Sequence, residues 1–261
     1  MISKEDRCIY QNNCLGEVIC QLRFPEILSI ETDIPAKFQE AIRQEFPRYV
    51  VQREKSAPRI SGVPGSFQLQ PQVENNNYQF STDDGVWRVN LTSKFISLAT
   101  SKYTRWEEFA TTLDKPLAAF IQIYKPACFD RVGLRYLNFI SRNALGLSGM
   151  PYRDLIEPAY LGLLAEEDVT ETSVTRSGVD AEMGIRGGCR LKLHSGPGKI
   201  TIGGKQDTET KFILDLDFYM SEKVPVNYSA GALQTLHSQA YGIFRGAITD
   251  QLHTAMIPFD I

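Results

Sequence analysis

Histidine is scarce in this chain, ligand-like cysteine spacing is missing, and no long apolar run occurs. The only imidazoles are His194, His237 and His253, none beside a Ser or Cys in a nucleophile motif, and neither GxSxG nor HExxH is present. The motif-borne forms of serine hydrolysis and zinc proteolysis therefore have no support. Five cysteines, Cys8, Cys14, Cys20, Cys128 and Cys189, form no CxxC pair. An odd count with that spacing is neither a disulfide framework nor a zinc signature. No stretch approaches the ~18 apolar residues of a membrane span, and the opening MISKEDRC has no apolar h-region. The expectation is a cytoplasmic protein with no membrane association. Neither sign of charge dominates: 28 Lys and Arg face 31 Asp and Glu, for a net charge of −3. Broad duplex binding needs a surplus of cations, so the charge disfavours nucleic acid, although a local basic groove fits within that balance. A protein partner or self-association is expected instead. The glycine-rich run Gly196–Lys205 fails as a phosphate loop, because Lys199 stands where a glycine belongs and Gln206 where magnesium needs Ser or Thr. No cofactor and no metal are expected.

What is present is an ordinary globular composition, 43% hydrophobic and 23% charged over 261 residues. The organising stretch is Phe129–Arg142. Read with period two, it places Val132, Leu134 and Tyr136 on one strand face and Arg131, Gly133 and Arg135 on the other. Two arginines on one strand face require partners, and the sequence predicts that Arg135 meets Asp215 or Asp217.

Leu15–Phe24 alternates as a strand, and Phe38, Ile42 and Phe46 recur at helical spacing. Glu54–Ser66 has loop composition. Strands are predicted at Phe67–Val73, Tyr78–Ser81, Val86–Thr92 and Phe95–Thr100, with the NNN run and Asp83–Gly85 as turns. A long amphipathic helix then runs to Tyr124 with Thr104 as its N-cap and Pro116 inside, where a kink is expected. Beyond the central strand, Leu155–Ala165 predicts helical turns. Strands follow within Val169–Val174, Ala181–Ile185, Arg190–Leu193, Lys199–Ile202 and Lys211–Tyr219, with Ser195–Gly198 as a turn. A helix over Ala230–Ala255 closes the chain. A meander followed by a long helix thus occurs twice. The expected fold is α+β, with two pseudo-similar halves, 1–143 and 144–261, each an antiparallel sheet covered by a long helix, in one continuous domain or two.

Asp215 and Asp217 share a strand face, where paired carboxylates can hold a divalent cation for a metal-dependent nuclease or phosphoesterase. A third ligand would have to come from His237 or Glu209. The competing reading is a wet strand face that answers Arg131 and Arg135 across the sheet. His237 borders the apolar stripe of the last helix, where a hydrogen-bonded histidine is the ordinary finding. An RNA-binding surface would use Arg131, Arg135 and the loop Lys55–Arg59 on phosphates.

LGEVICQLRF, YTRWEEF at Tyr103–Phe109, RVGLRYLNFI at Arg131–Ile140, LDLD at Leu214–Asp217, and LH with FRGAIT over Leu236–Thr249 occur in that order. Together they resemble a patchily distributed family of uncharacterised bacterial proteins of similar length. The resemblance brings no catalytic residue. It implies a cytoplasmic, accessory component of a defence or mobile-element system. The sequence therefore points to a non-enzymatic binding or scaffold subunit, with Arg131, Arg135, Asp215, Asp217 and His237 as its candidate binding residues.

Overall fold

A computed structural model describes residues 2–55, 60–63, 66–69, 74–202 and 204–260. In chain order the elements are β1 (Cys8–Tyr10), β2 (Leu15–Arg23), α1 (Leu28–Thr32), α2 (Ala36–Ile42), β3 (Arg48–Lys55), β4 (Ile60–Val63), β5 (Ser66–Leu69), β6 (Glu74–Ser81), β7 (Trp87–Leu91), β8 (Phe95–Thr100) and α3 (Trp106–Tyr124). The second stretch runs β9 (Arg131–Ile140), β10 (Val179–Gly184), β11 (Arg190–Gly198), β12 (Thr201–Ile202), β13 (Lys205–Gln206), β14 (Lys211–Met220), α4 (Ser229–Arg245), α5 (Asp250–Ala255) and β15 (Pro258–Asp260). Short 3-10 turns fill the connection between β9 and β10.

The fold is α+β around one nine-stranded antiparallel sheet, ordered β10-β11-β14-β9-β2-β8-β7-β6-β3. The sequence predicts a sheet in each half, whereas the structure joins them. The reason lies in β2 and β9, the first strands that the two stretches contribute to this sheet. They pair with each other from Arg23↔Arg131 to Val18↔Tyr136, so neither is left as an edge that must be protected. Within the sheet, the last strand of each stretch returns beside its first, β8 on β2 and β14 on β9.

Alternation sorts the residues into two faces. Phe80, Val89, Leu98, Cys20, Leu134 and Phe218 lie on the inner face and are buried. Helix α4 packs on β9 and β14, while α3 packs on β8 and α2. Phe120 of α3 packs against Phe24, with ring centroids 4.6 Å apart and planes tilted by 31°. The other face carries Arg88, Gln21, Arg131, Arg135, Asp215, Asp217 and Lys192, none of them fully buried.

Several local expectations need correction. The predicted helix over Ala230–Ala255 is two helices, because Gly246 caps α4 and Thr249 opens α5 by accepting a hydrogen bond from the Leu252 amide. Asn75–Asn77 is not a turn but lies inside β6, where the Asn76 amide donates to Glu31 Oε1 at 3.0 Å. Val169–Val174 holds a 3-10 turn with a capping box from Thr170 and Ser173 rather than a strand. Ser195–Gly198 is the end of β11, not a turn. β3 and β4 run into the predicted loop Glu54–Ser66, and β5 covers only the start of Phe67–Val73; positions 56–59, 64–65 and 70–73 lie outside the described residues. Arg105, not Thr104, holds the N-cap position of α3, and the Thr104 hydroxyl bonds Glu108. Helix α3 continues through Pro116.

Candidate functional site

On the uncovered face, β9 and β14 place Arg135 directly opposite Asp217 in register, with Gly133 opposite Tyr219. The charges pair diagonally. Arg135 Nε donates to Asp215 Oδ1 at 2.7 Å and its Nη2 donates to Oδ2, a two-nitrogen fork. Arg131 Nη2 donates to both oxygens of Asp217, at 2.7 and 2.8 Å. To reach Asp217 the Arg131 side chain lies across Gly133, where a Cβ would sit 2.1 Å from Nη1. A glycine at that point of the strand is what lets the guanidinium lie flat. Arg131 also rests over the Tyr219 ring, 4.6 Å from its centroid.

The two pairs differ in burial. The Arg131 and Asp217 side chains are 19% and 25% exposed, against 45% for Arg135 and 17% for Asp215. Donating to the Asp215 carboxylate raises the Arg135 guanidinium above its ordinary value. Around them run the ion pairs Arg190 with Glu182 at 3.1 Å and Arg88 with Glu17, and a hydrogen bond between His194 Nδ1 and Asp180 Oδ1 at 2.8 Å. The Tyr219 hydroxyl donates to Glu182, which holds that carboxyl below its usual range.

A depression of about 440 Å³ lies over Gly133. Its charged lining is Arg23, Arg131, Arg135 and Lys192 against Glu182 and Asp217, so it is locally cationic on an acidic chain. Arg131, Arg135, Asp215 and Asp217 thus come together as expected. Arg23, Gly133, Lys192 and Tyr219 were not singled out in the sequence, although RLKLH in β11 alternates charge with leucine and marks Lys192 as outward-facing.

His237 is not part of this cluster. It lies on the inner face, where the Tyr136 hydroxyl and His237 Nδ1 are 2.9 Å apart. Trp106 stacks on its ring at 4.6 Å between centroids and 9° between planes. Burial, with Arg7 nearby, lowers its pKa to about 3, so the imidazole is neutral at physiological pH.

The third ligand that a metal at Asp215 and Asp217 would need does not come from either expected source. His237 is across the sheet, and Glu209 accepts from Ser141 Oγ at 2.6 Å and from the Asn143 amide at 3.0 Å. Among the described residues no group of three His, Cys, Asp or Glu side chains could hold a metal ion, and no helix is long and apolar enough to cross a membrane. No protein-family model matches this chain, and comparison with curated proteins finds no match.

Proposed function

We propose that this chain is a non-enzymatic binding subunit that offers the uncovered, locally cationic face of its sheet to an acidic protein surface. The observation that carries the reading is that both oxygens of Asp215 and both of Asp217 are taken by guanidinium donors. Carboxylates committed in this way brace a surface, whereas a metal-dependent nuclease or phosphoesterase needs them free. Arg23 and Lys192, at the same depression, have no ion-pair partner among the described residues. Unpaired cations beside neutralised ones steer an acidic partner and set its register. The RNA reading is weakened by the same pairing, since Arg131 and Arg135 are already engaged, and positions 56–59 of its loop lie outside the described residues. The family resemblance adds the setting: an accessory component of a bacterial defence or mobile-element assembly.

The scaffold itself is proposed as a duplication. What supports a repeat is that β2 and β9 are antiparallel neighbours, each opening a run of strands in the nine-stranded sheet and each flanked by the last sheet strand of its run. Because β9 is Arg131–Ile140, the repeat boundary falls ahead of β9 rather than after position 143.

Affinity capture from the native host tests the binding role, using the wild type and an Arg23→Glu/Lys192→Glu double variant at low and high salt. The expected result is a protein retained by the wild type, weakened by salt and lost with the double variant. Retention unaffected by the charge reversal would overturn the proposal. Recovery of RNA through the same two residues would move the assignment to phosphate binding.

A further inference from the structure

The nine-stranded sheet ends in two edge strands, β10 and β3, and they are built differently. An open edge offers unpaired backbone N–H and C=O groups to any other strand, and folded chains guard such edges with charges, proline, bulges or shortness. β10 is guarded. It has six residues, its exposed positions include Asp180 and Glu182, and none of its side chains is a large exposed hydrophobe. β3 is not guarded in its centre. Its eight residues pair with β6 without a bulge and contain no proline, and Tyr49, Val50 and Val51 stand 40%, 54% and 42% exposed in succession. Among the described residues no other strand or backbone hydrogen bond occupies its outer edge, and β4 and β5 pair only with each other.

Tyr49 and Val51 lie on the covered side of the sheet, opposite Phe80 and Tyr78. The Tyr49 ring centroid is 5.3 Å from that of Phe80 and 6.4 Å from that of Tyr78. An apolar shelf therefore continues the core out to the rim of the sheet, where an incoming strand would extend it.

We infer that the β3 edge is a dimer interface, at which a second copy of this chain adds its own β3, antiparallel and across a two-fold axis at Val51. The order of residues in the strand selects that occupant. Reversed about Val51, RYVVQRE sets Arg48 opposite Glu54, Tyr49 opposite Arg53 and Val50 opposite Gln52. Each arginine then meets a carboxylate or an aromatic ring, and no cation faces another. Arg48 is free to turn toward the second copy, because its pair with Asp83 is 69% and 71% exposed and holds it weakly. A two-fold axis perpendicular to the sheet also keeps the covered faces of both copies on one side, so the two apolar shelves become continuous. β10 is unsuited to the same arrangement, since reversal about Ala181 sets Asp180 against Glu182, carboxylate against carboxylate. One strand from each copy buries less than the ~1,200 Å² of a standard interface, so the dimer is a weak one. It uses neither Arg23 nor Lys192, and stands or falls apart from the binding role proposed above.

Sedimentation equilibrium of the full chain from about 1 µM to about 1 mM, a span that covers weak association, tests the inference. The average mass is expected to rise from monomer and level off at dimer, while amide exchange slows with concentration in β3 and not in β10. Val51→Lys, which sets two ammonium groups against each other at an exposed position, should weaken the dimer about a hundredfold or more. A monomer throughout, or a dimer that survives in a folded Val51→Lys, would overturn the inference. A mass that climbs past the dimer would overturn it in favour of a head-to-tail contact between β3 and β10. Should Val51→Lys fail to fold, the wild-type exchange pattern decides: concentration-dependent protection anywhere but in β3 contradicts the inference.

Discussion

On the covered face of the sheet, every second residue of β9 and β14 is buried and, Asn138 apart, belongs to the hydrophobic core, and His237 packed against them is kept neutral. On the uncovered face the same strands carry Arg131 and Arg135, Asp215 and Asp217 among Gly133, Leu137, Phe139 and Tyr219, and each of the four charges is met by another. The strands are shared, so the backbone cannot be what distinguishes the faces. The difference lies in what solvent access permits. Under the helices a charge would cost several kcal/mol, and His237 avoids this by staying unprotonated. In the open, paired charges cost little and contribute little to stability, which leaves that face free to be shaped for a partner.

The contrast predicts a ranking of substitutions. Phe120, fully buried and packed near Phe24 and Phe129, should lose about 3–5 kcal/mol of stability as Phe120→Ala, measured by urea unfolding.

Acid should find the covered face next. The unfolded chain protonates a histidine near pH 6.5, whereas folded His237 resists until about 3. Between those values the unfolded state binds the extra proton. The stability linked to His237 is therefore complete above pH 6.5 and falls as pH drops, by at most ~1.4 kcal/mol per pH unit. The unfolding free energy from pH 6.5 to 4.5 should fall about 2 kcal/mol more steeply in the wild type than in His237→Gln. Equal slopes would mean that His237 is not held neutral by burial. Glu107, whose hydrogen bond from Arg7 lowers it to about 2, adds its own loss below its unfolded value of 4.5 in both proteins, so the difference between them isolates the histidine.

On the open face, Arg131→Ala should cost about 1.5–2 kcal/mol, because Asp217 loses the donor to both its oxygens at a mostly buried site. Arg135→Ala should cost under about 1 kcal/mol, its side chain being 45% exposed. If Arg135→Ala proved the more damaging of the two, burial would not be the quantity that ranks these pairs.

The alternation of Phe129–Arg142 made both faces of β9 legible in sequence, and with them a meeting of Arg135 with Asp215 or Asp217, of which the structure shows Asp215. Helix α3 was equally legible, because Trp106, Phe109, Leu113, Leu117 and Phe120 keep one stripe through Pro116. The single sheet was not. Strand periodicity states which residues share a face but not which strand lies alongside, so the pairing of β2 with β9 could not be read from either strand. The break between α4 and α5 was masked because apolar spacing continues across Gly246 while capping by Thr249 decides the boundary. His237 was marked by its place on the helix stripe, but its separation from the aspartates is a property of the sheet's two sides and needs the fold.

Calorimetric titration of the wild type with Mn²⁺ tests the central claim most directly. With Asp215 and Asp217 committed to Arg135 and Arg131, no saturable heat and no rise in Tm are expected up to millimolar metal. Saturable binding that vanishes in Asp215→Asn or Asp217→Asn would contradict the account, and would return the uncovered face to metal-dependent chemistry.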